Sequence, residues 1–135
     1  LRPDLKCLDF DPSSDEFAQF SIVWPNSWDK STITFKAFFT VTGTNTGSVA
    51  WGLAGVAITD DETINTAFPT PTVATAKSHS GTSNDLNVTA ESGAVTVSGT
   101  PANDDMVFFQ VNRDVSADDQ SGDARLLGIK ITFII

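Results

Sequence analysis

From Thr32 to Thr42 the chain alternates without a break. Ile33, Phe35, Ala37, Phe39 and Val41 fall on one side, and Thr32, Thr34, Lys36, Phe38 and Thr40 on the other. A period of two is that of a strand, so the segment belongs to a sheet with one face buried. The far end repeats the pattern: over Ala124–Ile135, Leu127, Ile129, Ile131, Phe133 and Ile135 alternate with Leu126, Gly128, Lys130, Thr132 and Ile134. Phe17–Trp24 sets Ala18, Phe20, Ile22 and Trp24 against Phe17, Gln19, Ser21 and Val23. Three half-buried strands spread over 135 residues need further strands between them to close a core.

Those strands are legible between turns. Lys6–Phe10 precedes the turn residues Asp11-Pro12-Ser13-Ser14, and Pro25-Asn26-Ser27 ends the next strand. Gly43–Gly47 reads as a hairpin loop leading into Ser48–Ile58. That strand has Val49, Trp51 and Leu53 on one face and the small row Ser48, Ala50, Gly52 and Ala54 on the other. Thr72–Lys77, Asp85–Ala90, Ala94–Ser98 and Met106–Arg113 follow. Thr59-Asp60-Asp61-Glu62 fits a capping box and predicts one short helix over Asp60–Phe68, ended by Pro69. The acids agree with an all-β reading: fourteen of seventeen are Asp, the residue of turns, and only Glu16, Glu62 and Glu91 are Glu. The expectation is a single domain over residues 1–135, an antiparallel β-sandwich of jelly-roll type with one short helix. Its core is expected to hold Phe20, Ile22, Phe35, Phe39, Trp51, Phe109, Ile129, Ile131 and Phe133.

Charge and composition narrow the function. A net charge of −9 repels a polyanion, which argues against nucleic acid as a partner. No apolar run approaches the roughly 18 residues of a spanning helix, so membrane insertion is not expected. The one cysteine, Cys7, forms no intrachain disulfide framework and reads as a small buried hydrophobe. An opening at Leu1 without Met or a signal-like segment is what a processed product or fragment would show.

Catalysis finds little support, and no catalytic residue is assigned. The only histidine, His79, reads as an exposed loop residue, and its flanking serines do not make a nucleophile elbow. Two acidic clusters, Asp9/Asp11/Asp15/Glu16 and Asp114/Asp118/Asp119/Asp123, contain enough oxygens for calcium, the second being the candidate metal site. Neither has EF-hand spacing, and solvated turn acids are the favoured reading, with no cofactor expected. Trp28 and Asp29 lie in a loop where the indole either stacks on a sugar or folds over the end of the sandwich, the latter being favoured. Arg113, ending a strand, is expected to pair with a nearby carboxylate. Phe38, Phe108, Leu126 and Ile134 fall on outward positions and form the candidate oligomer interface, together with the small row on Ser48–Ala54.

Four segments carry a resemblance. Phe17–Pro25 (FAQFSIVWP), Thr46–Leu53 (TGSVAWGL), Gly99–Asp114 (GTPANDDMVFFQVNRD) and Asp123–Ile131 (DARLLGIKI) resemble, in order and spacing, markers of tailed-bacteriophage virion structural proteins. The resemblance runs from about Leu5 to the end. It implies a β-sandwich located in the virion as a fibre, spike or capsid-decoration component, assembled as a homotrimer with other virion proteins and able to contact host surface glycan. It transfers no active site. The expected function is therefore a non-enzymatic virion structural domain. The alternative is a carbohydrate-binding module of lectin-like type, with Trp28 and the acidic loops as its site.

Overall fold

Eleven strands form among the described residues: β1 (Leu8–Phe10), β2 (Phe17–Val23), β3 (Thr34–Val41), β4 (Ser48–Val49), β5 (Trp51–Ile58), β6 (Thr72–Val73), β7 (Lys77–Ser78), β8 (Asn87–Val88), β9 (Val97–Ser98), β10 (Met106–Arg113) and β11 (Ala124–Thr132). They come from a computed structural model that describes residues 2–4 and 6–135; Leu1 and Leu5, the latter the start of the resemblance, lie outside the described residues. One sheet runs β1-β11-β3-β8 and the other β2-β10-β5-β6, with β9 alongside β5 and a separate β4–β7 pair. The pairs β1 with β11, β2 with β10, β3 with β8 and β5 with β6 are all antiparallel. These are the rungs of one long hairpin. Rolled up so that β11 meets β3 and β10 meets β5, it gives the two facing sheets of a jelly roll.

The core between the sheets is aromatic. Phe35, Phe39, Trp51, Leu53, Val107 and Phe109 are fully buried, and Phe20, Ile22, Ile129, Ile131 and Phe133 pack against them from the partly exposed side. Phe109 stacks on Phe20 with centroids 5.2 Å apart and meets Trp24 edge-on at 6.1 Å. Its ring also lies over Gly55, the residue opposite it on β5. A Cβ at Gly55 would sit 2.7 Å from Phe109 Cε1, so glycine is what lets the ring lie flat on the strand.

Two expectations fail, each for a local reason. The helix over Asp60–Phe68 does not form; the one helical element among the described residues is a 3-10 turn at Val115–Ala117. Its first turn does close, with Glu62 Oε2 accepting from the Thr59 N–H at 3.1 Å. Asp61 then adopts φ of 64°, a left-handed conformation that stops a right-handed helix. Beyond it the Thr63 Oγ1 accepts from the Asn65 N–H, and the Thr66 hydroxyl donates to the Thr63 carbonyl, local bonds that compete with helix. The segment instead runs irregularly beside Val56 and Ile58, and Pro71 packs at Gly52.

The second failure is the face assignment in β11. Its register against β3 slips between Leu126 and Gly128, leaving Leu127 as the extra residue of a bulge. Alternation therefore changes parity there. Leu126 points into the core before the bulge, and Ile129 and Ile131 do so after it.

Truncating Phe35 to alanine is expected to cost about 3–5 kcal/mol of unfolding free energy, as for other buried Phe→Ala changes. Gly55→Ala should cost about 1–3 kcal/mol by forcing the Phe109 ring off the strand. Urea unfolding of both variants checks the two assignments, and a loss below about 1 kcal/mol for Phe35→Ala would mean β3's faces are reversed.

Candidate functional site

The end of β10 carries a buried charge. Arg113 is fully enclosed, and all five of its N–H donors find oxygen. Nε and Nη2 hold the Asp118 carboxylate in a fork, at 2.7 and 2.9 Å. Nη1 donates to the Phe10 carbonyl at 3.0 Å and the Gly122 carbonyl at 2.9 Å, and Nη2 to the Gln120 carbonyl at 2.6 Å. Asp118 also accepts from the backbone N–H groups of Ala50 and Gln120. The pairing expected of Arg113 is thus to Asp118, five residues on, rather than to the adjacent Asp114.

This arrangement accounts for most of the acidic cluster. Asp118 is engaged with Arg113. Asp114 caps the 3-10 turn, accepting from the Ser116 N–H at 3.1 Å and its hydroxyl at 2.6 Å. Asp119 accepts from the Ser48 N–H, and Asp123 is exposed. Among the described residues no group of three or more His, Cys, Asp or Glu side chains converges where a metal ion could sit. Asp114 serves a turn, Asp118 an ion pair and Asp119 a bond to a distant segment, and the four aspartates do not form one coordinating cluster. In the other acidic group, Asp9 pairs with Arg125 at 2.9 Å, and Asp15 accepts from the Val115 N–H.

Trp28 is not a platform. It is 3% exposed, with its ring 4.9 Å from that of Trp24, and the loop is held by the Asp29 N–H donating to the Ile134 carbonyl. Asp29 itself is exposed; the Ser31 hydroxyl and backbone N–H beside it hold its carboxyl below the usual range. The indole closes the end of the sandwich, as its cap reading has it.

The four outward apolar residues do not make one surface. Phe38 lies half-buried on the outer face of the β3 sheet, and Phe108 half-buried on the outer face of the β10 sheet, on opposite sides of the sandwich. Leu126, at 7% exposure, belongs to the core because of the bulge. Ile134 is exposed near the C-terminus. The small row on β4 and β5 is covered from within: Ala50 and Ala54 are buried, and a Cβ at Gly52 would meet Asn112 and Pro71.

What the structure does assemble is a continuous belt around β2. On the outer face Phe17, Gln19, Ser21 and Val23 pair with Asn112, Gln110, Phe108 and Met106 of β10. On the inner side an apolar groove separates β2 from β11, since β1 covers β11 only from Ala124 to Leu126. Two cavities of about 310 and 280 Å³ form it and share Phe20 and Ile129; the first runs between Lys6–Leu8, Ala18 and Leu126–Gly128, the second between Ile22, Trp24, Ile131 and Phe133. Lys6 at the rim is the only ionisable side chain apart from Cys7 in that lining. Alternation alone had assigned Phe20 and Ile22 to a closed core. The signal that β2 is an outside strand is weak but present: neither its flanks nor its two faces are as apolar as those of β5.

Other expectations also shift. His79 is buried rather than exposed, its Nδ1 3.0 Å from the Asn45 carbonyl, and it staples the Gly43–Gly47 loop. Gly47 is needed there, because a Cβ would lie 2.6 Å from the Asp119 carbonyl oxygen. Ser80 donates to Asp85 and Ser78 contacts Ser48, so neither serine hydroxyl is paired with the imidazole. Cys7 is exposed, as are Leu8 and Asp9 after it; Phe10 is the residue of β1 that enters the core.

Trp28→Ala should lower stability by about 3–5 kcal/mol, the cost of deleting a buried aromatic; an unchanged melting temperature would return the ring to the surface. Calcium should leave the melting temperature unmoved relative to chelator, because an ion bound only by the native state would raise it. Comparison of the chain with family models, with curated proteins and with solved structures finds no match.

Proposed function

We propose that this chain is a non-enzymatic structural domain that works through protein–protein contact, a virion component of the tailed-bacteriophage type that its sequence resembles. The observation that carries the reading is the belt around β2. On a chain of net charge −9, the edge strand itself carries no ionised side chain and the groove behind it has Lys6 as its one charged residue, the acids Asp15, Glu16 and Asp114 lying only at the Phe17 end. An unpaired sheet edge beside an open apolar groove is the kind of surface that marks an association site. The jelly roll supplies a rigid, loop-closed frame for such contacts, and the resemblance supplies the setting, a fibre, spike or capsid decoration. The lectin-like alternative loses its specific residue, since Trp28 is buried.

Quantitative mass spectrometry of gradient-purified phage particles tests the proposal. The chain should sediment with particles at a fixed copy number relative to the major capsid protein. Recovery only in the particle-free supernatant would contradict it, and glycan binding by that soluble fraction would favour the lectin-like module.

A further inference from the structure

Natural sheets guard their edges with short strands, charges, prolines or bulges, because an unpaired row of N–H and C=O groups is a template for another chain. Here β1, β6 and β8 are two or three residues long. The open stretch of β11 begins at a bulge and carries Lys130. β2 is different: seven residues, FAQFSIV, with no charge, proline or bulge, and among the described residues no strand on its outer side. Phe17 and Val23, at its two ends, are 54% and 56% exposed, and Met106 beside Val23 is 42% exposed.

Resting on the structural-domain reading above, we infer that the partner of this edge is a second copy of the same chain, joined β2 to β2 in antiparallel fashion about a two-fold axis at Phe20. The strand is self-complementary in that register. Phe17 of one copy faces Val23 of the other, covering both exposed ends, and Gln19 faces Ser21 with a hydrogen bond available. Ala18, Phe20 and Ile22 meet on the groove side, so the two grooves become continuous across the axis. Electrostatics selects the same place. Two chains of charge −9 repel wherever their acidic loops approach; β2 itself carries no charge, and Asp15, Glu16 and Asp114 at its Phe17 end would meet the uncharged Val23 end of the other copy. A two-fold contact is closed, so it stops at two copies and differs from the trimer that the resemblance implies.

Size exclusion with light scattering on the whole chain, across micromolar concentrations, should give twice 14.4 kDa. The double variant Gln19→Lys/Ser21→Lys brings lysines face to face across the axis while both side chains remain on the outer surface. It should weaken dimerisation by roughly a hundredfold or more and leave the circular dichroism unchanged. Hydrogen exchange on the unmodified chain, which no misfolding can confound, should show β2 amides gaining protection as concentration rises. A monomer at every concentration overturns the pairing. So does a trimer, or any assembly indifferent to the lysines and without added β2 protection, but these leave the structural-domain reading standing. That reading fails separately, if the chain does not sediment with particles.

Discussion

A fully buried guanidinium fastens the ends of this jelly roll. Arg113 reaches from the last residue of β10 to the last carbonyl of β1, to the 118–122 loop and, through Asp118, to the start of β5. β1 belongs to one sheet, and β5 and β10 to the other, so one side chain joins both. A buried ion pair tolerates this only when each donor and each carboxylate oxygen is satisfied, as here. The same satisfaction makes the acidic loop structural: Asp118 cannot serve a metal without abandoning the arginine.

The placement of charge follows from the fold. Of the acidic residues, only Asp9 lies in a strand; the rest sit in turns and loops. The strands therefore meet one another through apolar and hydroxyl side chains, and the acids gather at turns, where short carboxylates accept from backbone N–H groups. One consequence is an edge strand, β2, that carries no charged side chain of its own. The loops close the sandwich at its ends, through Trp28 at one place and Arg113 at another, while the side between β2 and β11 stays open.

Much of this was legible in the chain. Alternation located β2, β3, β5 and β11 and much of the aromatic core, because a strand's period is set by its own backbone, and the flanking turns bounded β10. Three things were not. The parity change at Leu127 depends on a bulge that only pairing with β3 imposes, and it moved Leu126 from the surface to the core. The helix at Asp60 had its capping contact but lost its continuation to a left-handed Asp61. Trp28, His79 and Asp118 lie in loops whose burial depends on segments far along the chain. Sequence neighbours could not say that Asp118 would take Arg113 while Asp114 capped a turn. The outer faces posed a related difficulty: Phe38 and Phe108 share a sequence pattern but sit on opposite sides of the molecule.

A double-mutant cycle on Arg113 and Asp118, read by urea unfolding, tests the central claim most directly. Asp118→Leu alone should cost about 3–5 kcal/mol, because it strands a buried cation. Arg113→Met together with Asp118→Leu should recover much of that loss, since the paired removal leaves no uncompensated charge. Single-variant losses below about 1 kcal/mol, adding independently in the double variant, would be the behaviour of an exposed pair and would contradict the account.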